Sequence, residues 1–173
     1  MTHLLRIDWK VFWVILSCAI LQMTIVPWVS VGGIAPNLCF LFVAFYAFQL
    51  NHHQIFLIAF ATGLFRDFLT QSFFGIDTVS LVFGSLVLQQ MASRLDRDNF
   101  WVQFWGVFLF SFVSLLINLI LLSSIQQAWM LNGYQLAKAF LITVYTTLGA
   151  FLAFPFLKRL FNVSALAKQY ELF

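Results

Sequence analysis

The stretch AFATGLFRDFLTQSFFGIDTVSLVFG, Ala59 to Gly84, decides how the rest of the chain is read. It places Arg66, Asp67 and Asp77 in surroundings that are otherwise mostly hydrocarbon. Ala59, Gly63 and Asp67 recur every four residues, which on a helix puts two small residues and a carboxylate on one face. Small residues at this spacing let a second helix approach closely in lipid. A carboxylate at membrane depth points into protein rather than into acyl chains. With a helix beginning near Ile55, Asp67 lies ~18 Å along it, inside a hydrocarbon core of ~30 Å.

Composition gives the solvent. The chain has 173 residues, 62% of them hydrophobic and 9% charged, whereas a soluble domain carries about 25% charge. A spanning helix takes ~20 apolar residues. The apolar segments fall at about 11–28, 37–50, 55–70, 77–91, 100–124 and 137–157, one six-helix membrane domain over residues 1–173. The first segment, behind Arg6 and Lys10, is too long for a signal peptide's apolar region and reads as an uncleaved span. The 23 Phe residues suit a lipid-facing surface. Trp9, Trp13, Trp28, Trp101 and Trp105 fall at segment ends, where amphipathic rings prefer to sit. An even number of spans leaves both termini on one side. That side holds Arg6, Lys10, Arg94, Arg97, Lys158, Arg159 and Lys168, and the other holds Lys138, with Arg66 buried nearby. Both termini are therefore expected in the cytoplasm.

The net charge of +3 reflects those loops; no basic cluster is long enough to follow a nucleic acid backbone. Cys18 and Cys39 are isolated in apolar sequence and define neither a metal site nor a disulfide framework. His52 and His53 belong to a polar turn, Asn51 to Gln54, and point about 100° apart on a helix. Neither a cofactor nor a metal is implied. No phosphate-cradling loop, HExxH or nucleophile–base set is visible, so an enzyme is not expected.

The remaining candidates are structural. Pro36 suits the first turn of a helix, with Asn37 opening the second segment. Asp77 is placed to N-cap the fourth, and Ser80 and Gly84 continue a small-residue face from it. Ser111, Ser114 and Asn118 form a polar line on the fifth, Asn118 suited to an interhelical hydrogen bond. The last segment carries a small face of Thr143, Thr147, Ala150 and Ala153 and ends at Pro155. Asp67 admits three readings: a pair with Arg66 or a cap on a neighbouring helix, a seam or shallow outer pocket for a partner, and a proton relay.

The segments APNLCFLFVAFYAF and GLFRDFLTQSFFGIDTVSL resemble the MreD family of rod shape-determining membrane proteins. The family pattern is Pro-Asp/Asn opening a span, Gly-x-x-x-Asp, then Gly about eight residues on, matched here by Pro36-Asn37, Gly63, Asp67 and Gly75. Arg66 departs from the pattern, in which an apolar residue precedes the Asp. The clear likeness runs from about Ala35 to Ser93; elsewhere the agreement is in hydropathy. The resemblance implies a multi-pass protein of the bacterial inner membrane, all-α and similar in fold to the substrate-binding subunits of energy-coupling-factor transporters. It implies binding to MreC, and through it a link between MreB filaments, RodA and the elongation penicillin-binding transpeptidase in lateral peptidoglycan synthesis. Ala59, Gly63, Arg66, Asp67 and Gly75 are then the expected partner-binding residues, with Pro36, Asn37, Asp77 and Asn118 structural. The other reading is a vitamin-type binding subunit of a transporter, whose outer cavity would be lined by Arg66, Asp67, Gln71, Asp77 and Asn118.

Overall fold

A computed structural model of the protein describes residues 9–24, 26–50, 52–70, 73–95, 99–126 and 132–161. The described chain is helical: α1 (Trp9–Thr24), the single turn α2 (Val26–Val29), α3 (Leu38–Gln49), α4 (His52–Thr70), α5 (Ile76–Ala92), α6 (Phe100–Gln126) and α7 (Gly133–Phe161). Within α6 and α7, the stretches Phe100–Ile125 and Gly133–Pro155 are long and apolar enough to cross a membrane. The link before α3 turns tightly: Gly32 (φ 60) and Gly33 (φ 77) sit in the left-handed region. Val31 and Ile34 exchange backbone hydrogen bonds of 3.0 Å across them. Positive φ at both central positions is the two-residue hairpin turn that glycine allows.

The sequence LCFLFVAFYAFQ of α3 is apolar all round, and such a helix is enclosed on every side by lipid or by other protein. Every residue from Cys39 to Phe48 is buried, and α3 packs on α1, α4, α5, α6 and α7. At 12 residues it is only ~18 Å long. It is therefore a central post around which the longer helices stand. Phenylalanine therefore serves both inside and outside the bundle. Phe40, Phe42, Phe45 and Phe48 are core residues. Phe40 meets Phe110 edge-on at 5.7 Å between ring centres, and Phe45 meets Phe154 at 5.5 Å. Edge-to-face contacts are the favoured geometry for aromatic pairs. Phe68, Phe83 and Phe151, on other helices, do point outward.

Several helix ends differ from the expected ones. Pro36 lies before the helix, and Asn37 is the N-cap of α3. His53 and Gln54, expected in a polar turn, already belong to the first turn of α4. Pro155 does not end α7, which continues to Phe161. A proline removes one intrahelical hydrogen bond, and a helix packed among others in an apolar medium tolerates that loss. Arg6, Asn51, Gln71, Arg97 and Lys168, and the side chains of Trp9, Lys10, His52, Lys158 and Arg159, lie outside the described residues.

Truncating the core of α3 should cost far more than truncating an outward ring. Phe45→Ala is expected to lower unfolding stability in detergent by about 3 kcal/mol or more, and Phe83→Ala by much less. Thermal unfolding of the two variants beside the parent checks the difference.

Candidate functional site

The GxxxD spacing has a direct physical meaning. A Cβ added at Gly63 would run into the Cα of Thr78, so the missing side chain is what allows the first turn of α5 to lie against α4. One turn further along α4, Asp67 meets the N-terminus of α5. Its Oδ1 accepts the Asp77 N–H at 3.0 Å. Its Oδ2 accepts the Gly75 N–H at 3.0 Å, the Thr78 N–H at 3.2 Å and the Thr78 hydroxyl at 2.6 Å. The first N–H groups of a helix have no intrahelical acceptor and carry its positive dipole end. A carboxylate supplied by the preceding helix answers both needs. Gly75 stands at the N-cap position with φ 97 and brings no side-chain cap of its own. That backbone turn, open to glycine without strain, aims its N–H at Asp67.

Asp77 is therefore not the cap that its position suggested. It lies in the first turn of α5 and faces inward, where Arg66 Nε approaches its Oδ2 at 3.1 Å and Asn118 Nδ2 donates to its Oδ1 at 2.6 Å. Arg66 pairs with Asp77 rather than with the adjacent Asp67, and its guanidinium also lies 5.0 Å over the Phe40 ring. The arginine that departs from the family pattern thus has its own counter-charge eleven residues on. These bonds join α4, α5 and α6 around the head of α3.

A second set of polar contacts holds the start of α3. The Asn37 side chain accepts the Phe40 N–H at 3.3 Å. Gln22, on α1, accepts the Leu38 N–H at 2.6 Å and donates to the Pro36 carbonyl at 3.2 Å. Thr146, on α7, accepts the Asn37 N–H at 3.0 Å. Gln22, Thr78 and Thr146 were not singled out in the sequence. A lone amide inside the apolar run of α1 was the available signal for Gln22, because a polar group at that depth needs a partner.

Ala59, Gly63 and Asp67 are all buried. At Gly63 and Asp67 that face is occupied by α5 of the same chain. Further along the seam Gly84 lies against Ser114 and Phe110 of α6, so the small-residue face of α5 is likewise spent internally. The site has the chemistry of a clamp: Arg66 offsets Asp77, and the positive end of α5 offsets Asp67.

A family model for the rod shape-determining protein MreD matches residues 5–162. The chain belongs to the MreD family. The matched range takes in every described helix of this MreD chain, the clamp included. No curated protein and no solved structure matches it.

Asp67→Asn should remove charge-assisted acceptance at the head of α5 and lower stability by about 2 kcal/mol. Arg66→Leu leaves Asp77 buried beside a lost counter-charge and is expected to be worse, about 3 kcal/mol or more. Arg66→Leu combined with Asp77→Leu should recover part of that loss. A double variant no more stable than Arg66→Leu alone would contradict the pairing.

Proposed function

We propose that this MreD chain is a non-enzymatic assembly subunit of the rod-shape machinery in the bacterial inner membrane. It crosses the membrane with six helices and keeps both termini in the cytoplasm. It binds the bitopic protein MreC, which links it to MreB, RodA and the elongation penicillin-binding transpeptidase and so to lateral peptidoglycan synthesis. The observation that carries this reading is the commitment of the buried charges. Both carboxylates and the Arg66 Nε are bonded to one another's helices, which suits a rigid scaffold. The same observation weighs against a vitamin-type binding subunit, since Asp67, Asp77 and Asn118, three of the residues that would have to greet a ligand, are bonded within the chain.

The partner surface then lies beside the clamp rather than within it. Just outside Asp67 and Gly75, Phe68, Phe73 and Phe74 are exposed, and the Phe68 and Phe74 rings meet edge-on at 5.0 Å. Gly63, Asp67 and Gly75 act on the partner indirectly, by holding this aromatic corner in place. MreC's single helix packs against the corner in the outer leaflet.

Phe68→Ser combined with Phe74→Ser is expected to cut co-purification with MreC about tenfold, the effect of ~1.4 kcal/mol, without lowering thermal stability. Gly63→Leu should lower both together. Unchanged co-purification in the double serine variant would move the contact elsewhere. For topology, Val31→Cys, in the exposed turn before α3, should react with a membrane-impermeant maleimide from the outside of spheroplasts and Arg94→Cys should not; the reverse pattern would invert the orientation.

A further inference from the structure

The clamp leaves a buried donor over. Arg66 gives its Nε to Asp77 and its face to the Phe40 ring, while its Nη1 is buried and meets no hydrogen-bond acceptor of the protein. Among the described residues, Thr62 Oγ1, Ser111 Oγ and Ser114 Oγ share that condition, on residues 1%, 0% and 0% exposed. They differ from other hydroxyls of the bundle. Thr24, Ser124, Thr143, Thr146 and Thr147 each donate to the carbonyl four residues back at 2.8–2.9 Å, the usual way such a side chain is satisfied in an apolar helix.

The unmet groups lie around one circuit of contacts. Phe40 carries the Arg66 guanidinium on its face and meets Phe110 edge-on at 5.7 Å. Phe110 and Ser114 both lie where a Cβ on Gly84 would be, so the bare glycine is what admits them. Asn118, one turn beyond Ser114 on α6, donates to Asp77, and Asp77 leads back to Arg66. Thr62 stands one turn before Arg66 on α4, and Ser111 one turn before Ser114 on α6, so each shares its neighbour's face. Four unmet polar groups are thus gathered where α3, α4, α5 and α6 come together.

We infer that this junction binds water, at least one molecule shared by Arg66 Nη1 and the neighbouring hydroxyls. The occupant has to accept from a guanidinium N–H and to exchange hydrogen bonds with hydroxyls. A buried water does both, with about two to four polar partners. An ion does not suit the junction, because Asp77 already balances Arg66 and a further charge would be buried without a partner. A lipid chain brings no hydrogen bond, and Phe40 and Phe110, each 0% exposed, close the junction to it. In hydrocarbon these groups have no other source of partners. The water therefore belongs to the clamp and is independent of where MreC docks.

The test is brief X-ray radiolysis of the full chain in nanodiscs, which makes hydroxyl radicals from water where it sits, with oxidation mapped by mass spectrometry. Phe40 and Phe110 flank the junction. Phe45 and Phe48 are 2% and 3% exposed and pack instead on Phe154. Oxidation at Phe40 and Phe110 should exceed that at Phe45 and Phe48 several-fold. Ser114→Ala and, separately, Ser111→Ala should each lower that excess, while Thr143→Ala, which removes a hydroxyl already bonded within its own helix, should leave it intact. Equal oxidation of the four rings in the parent protein would overturn the site without any variant. So would an excess that neither serine variant reduces, because the hydroxyls would then hold no water.

Discussion

The structure depends on a carboxylate binding the start of a helix other than its own. In hydrocarbon no water answers the free N–H groups at a helix N-terminus, and each left alone costs several kcal/mol. Asp67 answers those of Gly75, Asp77 and Thr78 together. It can do so because Gly63, one turn back, has no side chain to hold α5 away. The motif is therefore one device with two parts, a gap and an acceptor. Placing Arg66 next to Asp67 turns the arginine onto another face of α4, where it finds Asp77 and the Phe40 ring.

That constraint organises the rest. With α4 and α5 pinned at one end, α6 joins through Asn118 and through Ser114 against Gly84. α3 stands enclosed among them, short and wholly apolar. Two helix N-termini, those of α3 and α5, are thereby satisfied by side chains from other helices, Gln22 and Asp67.

Much of this was legible in the sequence. The small-residue face, the buried acid and the helical segments could be read from spacing and hydropathy. Spacing alone could not say which helix would fill the face of Ala59 and Gly63, because a partner's helix and α5 make the same demand for small residues. Asp77 looked like a cap because it sits where caps sit. The acid ten residues earlier took that role once the turn at Gly75 folded α5 back onto α4, and a turn's φ is not written in its neighbours. The enclosure of α3 was also hidden, since an all-apolar segment reads alike whether lipid or protein surrounds it. Its phenylalanines are distinguished only by the helices that pack on them.

Amide hydrogen exchange in nanodiscs, read residue by residue, bears most directly on the role of Asp67. In the parent protein the Gly75, Asp77 and Thr78 amides should exchange slowly. In Asp67→Asn they should lose protection selectively, while the amides in the middle of α3 keep theirs. If those three amides exchanged at the same rate with and without the carboxylate, Asp67 would not be what holds α5 in place.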